Sequence, residues 1–176
     1  CPQDRLCEGS CTLDEEFGAV TIGNIEKYIT DTAFAMGWRP DMSGVVPTGK
    51  RVAIIGAGPA GLAAATVAAE RGHQVTLFDA ADKIGGQFNI AKLIPGKEEF
   101  YETLRYFGKR IEKTGVKLEL NRRVDASDLA EFDEVILATG IVPRTPDIPG
   151  IDHPKVISYL DAILQRKPVG HKVAVI

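Results

Sequence analysis

The chain has 176 residues, 44% of them apolar and 26% charged, with a formal net charge of −3. That length holds one full domain plus an appendage, and the composition is that of a soluble globular protein with a real core. The negative balance argues against nucleic acid or an anionic membrane as a partner, and the longest apolar run, 60–69, is too short to span a bilayer.

Residues 1–20 are irregular and rich in charge, and they hold all three cysteines, Cys1, Cys7 and Cys11. The opening is polar and does not read as a signal peptide. An odd cysteine count fits a disulfide framework poorly, so a reducing, cytoplasmic compartment is expected. There, thiolates spaced C-x5-C-x3-C suggest a metal or iron–sulfur site rather than bridges. Asp14-Glu15-Glu16 reads as a loop acid run. Ile22, Ile25, Ile29, Ala33 and Met36 recur at helical spacing, and Gly37 is placed to end that helix. Residues 38–50 carry two prolines and two glycines and no period. They read as a linker, with a domain boundary expected near Pro47.

Val52-Ala53-Ile54-Ile55-Gly56-Ala57-Gly58-Pro59-Ala60-Gly61 then reads as a buried strand, a glycine turn and the start of a helix. Gly56 permits the tight turn, Gly58 lets backbone approach a pyrophosphate, and Gly61 lets helix and strand pack closely. The helix directs free N–H groups and its positive end at the phosphates. Gln74–Phe78 is the second strand, and Asp79, eighteen residues beyond Gly61, stands where an acid takes ribose hydroxyls. The motif in that order predicts dinucleotide binding.

A loop over 80–96 holds Gly85-Gly86-Gln87 and Pro95-Gly96. Phe100, Leu104, Phe107 and Ile111 mark one face of a helix ended by Gly115. A strand is expected over Val116–Leu120, a turn or short helix over Ser127–Phe132, and a buried strand over Glu134–Ala138 running into Thr139-Gly140. A proline-rich crossing at 143–154 leads to a predicted helix over 155–167 and a strand over 172–176. His73, His153 and His171 sit at turn-like positions and pair with no nucleophile. Arg122-Arg123 and Lys109-Arg110 read as solvated charge.

From Lys50 onward the chain resembles the flavin domain of 2,4-dienoyl-CoA reductase and its NADH:flavin oxidoreductase relatives. The motifs are G-H-Q-V-T-L-F-D-A at 72–80, I-G-G-Q-F-N-I-A-K at 84–92, P-G-K-E-E-F-Y-E-T-L-R-Y at 95–106 and G-I-V-P-R-T-P-D-I-P-G-I-D-H-P-K-V at 140–156. From Cys1 to about Gly61 it resembles the glutamate synthase small subunit, through C-P-Q-D-R-L-C-E-G-S-C, F-G-A-V-T-I-G-N-I-E and M-G-W-R-P-D-M-S-G-V. The two share K-R-V-A-I-I-G-A-G-P-A-G-L-A, so the chain reads as a hybrid whose seam lies within or near that stretch. A natural recombinant, an engineered fusion and a composite of two sequences all fit that reading.

The resemblance implies an α/β fold: a partial, three-layer Rossmann-like FAD-binding domain with an N-terminal helical, cysteine-containing arm. It divides the chain into an iron–sulfur-type arm over 1–47, an FAD domain over 48–150, and a connection with the first strand of an NAD(P) domain over 151–176. Carried over by position, Gly56, Gly58, Pro59, Ala60 and Gly61 meet the pyrophosphate and Asp79 the ribose. Gly86, Gln87 and Lys97 contact the cofactor, Val124 presents its backbone to the adenine, and Ala138, Thr139 and Gly140 pass beside it. Cys1 and Cys7, with Glu26, would serve one four-iron cluster and Cys11 another, each incomplete within this chain.

The implied activity is NAD(P)H-dependent oxidoreduction, with electrons passing through FAD to iron–sulfur clusters. A larger catalytic subunit or domain is the implied partner of the arm. Glutamate synthesis and reduction of an unsaturated acyl-CoA compete as the parent reaction. A non-catalytic nucleotide-binding module is the alternative of a different class. No nucleophile, general base or redox dithiol is readable, and the second glycine fingerprint that separates NADH from NADPH does not appear, so the chain is expected to be a fragment.

Overall fold

An apolar run can sit in the middle of a parallel sheet only if both its faces are covered, and Arg51–Ile55 (β1) meets that condition. Val52, Ala53 and Ile54 are buried. The computed structural model describes residues 8–176. Two compact units divide the chain, one ending at Val45 and the other running Val46–Ile176.

In the first unit the acid run Asp14–Phe17 is a single helical turn (α1) rather than the expected loop. Carboxylates at the positive end of a helix favour it. Ile22–Ala35 forms α2. Gly37 ends it in the left-handed region at φ +85°, where its N–H reaches the Phe34 carbonyl at 3.0 Å and the Trp38 N–H reaches Ala33 at 2.9 Å. The helix is the one its periodicity predicts, but Ile22, Ile25 and Ile29 are exposed and no α2 residue is buried.

The second unit is built on a four-stranded parallel sheet in the order β3-β2-β1-β4, where β2 is Gln74–Phe78, β3 Lys117–Glu119 and β4 Glu134–Leu137. Val52 pairs with Val75 and Ile54 with Leu77 on one side of β1; Ile54 pairs with Ile136 on the other. Pro59–Glu70 (α3) connects β1 to β2, and its glycine and alanines let it lie close on the strands. Phe100–Thr114 (α5) packs against α3, with Ile111 buried and Gly115 closing it in the left-handed region. Val52, Ile54, Leu62, Ala65, Val75, Leu77, Ile111 and Val116 make the core.

Several expectations change. Arg110 is not free solvated charge: it pairs with Glu70 at 2.6 Å and ties α5 to α3. Arg122 lies over the Phe78 ring, 5.3 Å from its centroid, and meets Asp128 at 3.2 Å. Glu134–Leu137 is a strand but not a buried one. It stands at the sheet edge, with Leu137 73% exposed, because among the described residues nothing pairs with its outer side. Residues 126–131 form turns. The helix expected over 155–167 shrinks to Tyr159–Leu164 (α6), started by a reciprocal Ser158–Asp161 capping box. Residues 172–176 are irregular rather than a strand, since a strand exists only through its ladder and none is offered here. No helix among the described residues is long and apolar enough to cross a membrane.

Candidate functional site

The chain runs outward from β1 through β2 to β3 and then returns to the far side of β1 as β4. The order therefore reverses between β1 and β4, and the crevice at the C-terminal ends of these strands is where open α/β sheets take ligands. The glycine turn lies there.

Its three glycines answer to different atoms. Gly56 has φ +106°, and a Cβ on it would stand 2.3 Å from the Ala138 carbonyl oxygen. A Cβ on Gly61 would stand 1.8 Å from the Gly56 oxygen. Both positions are closed by the protein's own backbone. Gly58 is different: its φ of −76° and ψ of −175° suit any residue, and a Cβ there would meet nothing nearer than Gly86 Cα at 3.9 Å. The fold leaves that space open beside the first turn of α3. Gly58 is the N-cap and has no side chain to take the first-turn N–H groups, and Pro59 in the first turn needs no acceptor. A bare, positive helix end facing open space fits a pyrophosphate.

Asp79, half-buried at the end of β2, accepts the Ala57 N–H at 2.6 Å through Oδ2 and the Ala81 N–H at 2.8 Å through Oδ1. A carboxylate has about four acceptor sites, so two remain for vicinal hydroxyls. The segment after β3 clamps this loop. Arg122 N–H donates to the Asp79 carbonyl at 2.9 Å and Asn121 N–H to Ala81 at 2.8 Å. Asn121 itself is left-handed at φ +55°, a region asparagine tolerates. Val124 lies half-buried three residues beyond Asn121 on the same segment.

Ala138 donates its N–H to Ile55 at 2.8 Å, which sets Ala138 and Thr139 against Gly56; Gly140 follows at φ +77°. From the other side the Gly85 N–H reaches the Ala57 carbonyl at 2.7 Å, and Gly86 faces Gly58. The fold thus gathers Gly56, Gly58, Gly61, Asp79, Gly86, Ala138 and Thr139 at the strand ends, with Pro59 and Ala60 opening α3. Gln87 follows Gly86 directly and is exposed ahead of Phe88–Ala91 (α4). Lys97 is exposed, with its ammonium 5.9 Å from the Phe100 ring centroid.

Sequence reasoning passed over Asn89, half-buried, which bonds the Ile84 carbonyl at 2.8 Å. Its signal is a single amide within the apolar stretch F-N-I-A.

In the arm, Cys1 and Cys7 lie outside the described residues. Cys11 is half-buried and accepts the Val20 N–H at 3.5 Å, and Glu26 is exposed on α2. Four-iron clusters take four thiolates. The described arm offers one, and among the described residues no three His, Cys, Asp or Glu side chains are grouped to hold a metal ion. The described residues therefore do not by themselves fit a cluster.

Residues 50–176 match the family model described as pyridine nucleotide-disulphide oxidoreductase, and residues 1–38 match dihydropyrimidine dehydrogenase domain II, 4Fe-4S cluster. The chain is 52% identical over 145 residues to the glutamate synthase [NADPH] small chain of Escherichia coli K12, covering 80% of this chain and 30% of that protein. It is 46% identical to the glutamate synthase [NADPH] small chain of Halomonas elongata, covering 93% of this chain and 36% of that one. That single relative reaches across both of the resembling regions. Among solved structures, a 2-naphthoyl-CoA reductase complex matches with a TM-score of 0.66 at 34% identity, over 78% of this chain and 21% of that one. Histamine dehydrogenase from Rhizobium sp. 4-9 matches with a TM-score of 0.62 at 28% identity, over 75% of this chain and 22% of that one. The chain spans about a third of the length of these two curated relatives.

Proposed function

The chain belongs to the pyridine nucleotide-disulphide oxidoreductase family, and from that premise we propose that its second unit is the FAD-holding part of an NAD(P)H-dependent flavin and iron–sulfur oxidoreductase. The observation that carries this reading is Gly58. A Cβ there would make only an ordinary contact, with Gly86 Cα at 3.9 Å, so the protein's own atoms do not require glycine at this position, which lies at the uncapped end of α3.

When bound, FAD supplies two-electron uptake from a nicotinamide and single-electron release toward iron–sulfur clusters. The chain's own residues bind and orient. Gly56 makes the turn, its own N–H being held by the Phe78 carbonyl at 2.8 Å, and Pro59 opens α3 without a donor, while Gly58, Ala60 and Gly61 present backbone N–H groups and the helix end to the pyrophosphate. The free acceptor sites of Asp79 take the ribose hydroxyls. Val124 offers its backbone to the adenine. Gly86, Gln87 and Lys97 line one side of the cofactor, and Ala138, Thr139 and Gly140 the other.

The domain limits proposed are 1–47 for the arm, 48–150 for the flavin part and 151–176 for the connection toward a nicotinamide domain. Cys1, Cys7, Cys11 and Glu26 serve clusters completed by ligands beyond the described residues, in a reducing cytoplasmic setting. The words "small chain" in the relatives' names support a larger catalytic companion reached through the arm. The same relatives favour glutamate synthesis over acyl-CoA reduction as the parent reaction, and NADPH as the reductant.

The test is an absorption spectrum of the purified full-length protein, nicotinamide domain included, with identification of the nucleotide released on denaturation and titration with NADPH and NADH. Bound FAD bleached by NADPH supports the reading. A colourless protein that takes up no added FAD overturns it, and bound flavin that neither nicotinamide reduces makes the chain a non-catalytic nucleotide module. Gly58→Ala sharpens the test. It is expected to leave stability within about 0.5 kcal/mol, because its φ and free space suit alanine, while FAD affinity falls roughly tenfold or more from steric conflict with the phosphates.

A further inference from the structure

A chain of hydrogen bonds joins Asp79, the glycine turn and the 84–86 loop, and it starts on side chains outside the glycine fingerprint. Asn89 donates Nδ2 to the Ile84 carbonyl at 2.8 Å and accepts the Lys92 Nζ at 2.9 Å through Oδ1. A carbonyl only accepts and an ammonium only donates, so both partners demand the same amide orientation. The Ile84–Gly85 peptide held in this way gives its N–H to the Ala57 carbonyl at 2.7 Å. Ala57 gives its own N–H to Asp79 Oδ2 at 2.6 Å. Every bond is donated in one direction, from the Lys92 ammonium toward the Asp79 carboxylate. The Lys92 cation strengthens the links that run through the Asn89 amide and the Ile84–Gly85 peptide, and the Asp79 anion strengthens its own bond from the Ala57 N–H. The Ala57 carbonyl and N–H lie on different peptides joined through Cα, so the two stretches are linked by position and not by polarisation.

The loop so tethered has little slack. Gly85 has φ +120°, and a Cβ on it would meet Leu104 Cδ2 at 2.6 Å and Asn89 Nδ2 at 2.8 Å. Gly86, next in the chain, would set a Cβ 3.0 Å from Gly58 Cα. The placement of Ile84–Gly86 therefore bounds the open space beside Gly58. Lys92 is steadied in turn by the Tyr101 ring, 4.8 Å from its Nζ to the centroid.

We propose that Asn89, braced by Lys92, is a positioning residue that holds the 84–86 loop at the width a nucleotide pyrophosphate requires. The inference rests on the flavin reading above. It concerns phosphate recognition specifically, since the tethered loop adjoins Gly58 and the start of α3, whereas a nucleoside is held from Asp79 and the segment after β3.

The experiment measures dissociation constants for FAD, ADP and adenosine, together with the thermal midpoint, for the wild-type protein, Asn89→Leu and Lys92→Met. Asn89→Leu is expected to weaken FAD and ADP by the same factor, roughly tenfold, the scale of one lost hydrogen bond. Lys92→Met, near the surface, is expected to weaken both roughly twofold to fivefold with an unchanged thermal midpoint. Adenosine affinity holds in both variants. Adenosine weakened as much as ADP, or FAD and ADP bound as tightly as by wild type, overturns the proposal. If Asn89→Leu fails to fold, Lys92→Met alone decides by the same criteria. A wild-type protein that binds neither FAD nor ADP overturns the flavin reading and this inference with it, a result distinct from tight wild-type binding that the variants preserve.

Discussion

Helix α2 sets Ile22, Ile25 and Ile29 along one side and buries none of its residues, whereas α3 is mostly alanine and glycine and buries Gly61, Leu62, Ala65 and Thr66. The stripe on α2 shows which surface would gain from cover. The small residues of α3 record cover that is already present and very near, because only a missing side chain admits backbone at the distance found between Gly61 and Gly56. Adjacent strands repeat the contrast. β1 and β4 are both apolar and pair Ile54 with Ile136, yet Ile54 is fully buried and Ile136 is 39% exposed. Apolar character proposes an element; what lies against it decides the energy.

The sharpest way to break this contrast is Gly61→Ala, a substitution that helix propensity alone would favour. With a Cβ 1.8 Å from the Gly56 oxygen, α3 must leave β1, and a loss above about 4 kcal/mol is expected. Circular dichroism and chemical denaturation read it; a cooperative transition near the wild-type midpoint would show that the close approach is not required. Leu62→Ala comes next, at about 2–5 kcal/mol for a fully buried side chain in a packed core.

Ser158→Ala tests a helix held by its end rather than by burial, since α6 buries no residue but carries a full capping box. A local loss of about 1 kcal/mol is expected, seen as faster amide exchange over 159–164 with the global midpoint nearly unmoved. The same helix has a pH signature. Hydrogen bonding from Lys167, then from the Ser158 backbone, holds the Asp161 carboxyl below the usual carboxylate range. A depressed folded value means the contribution is present above the unfolded value and fades as pH falls through the folded one. Protection of α6 is therefore expected to drop on acidification before the sheet responds.

The smallest effect is Ile29→Ala in α2, expected within about 0.5 kcal/mol at a 62% exposed position. A loss comparable to that of Leu62→Ala would mean that the stripe is covered in the protein at work.

Apart from the helical turn Phe88–Ala91 inside the expected loop over 80–96, the sequence by itself determined the alternation of strands and helices from Arg51 to Gly115, because each signal there is local. Glycine at the turn, an acid after the second strand and a glycine past α5 each act through the backbone of their own neighbours. It also predicted the helix over Ile22–Ala35, for the same reason. Only the tertiary structure decided that β4 is an edge, that Arg110 reaches Glu70, and that Asp79 is drawn to Ala57 across 22 residues of chain. Only there does Gly58 separate from Gly56 and Gly61, since the three are equivalent as letters and differ in which atoms stand opposite them. Asn89 belongs to the same class: its amide has meaning only once Ile84 and Lys92 lie on either side of it. Local conformational preference is written along the chain, but burial, pairing and the width of a binding space depend on atoms brought from elsewhere in it.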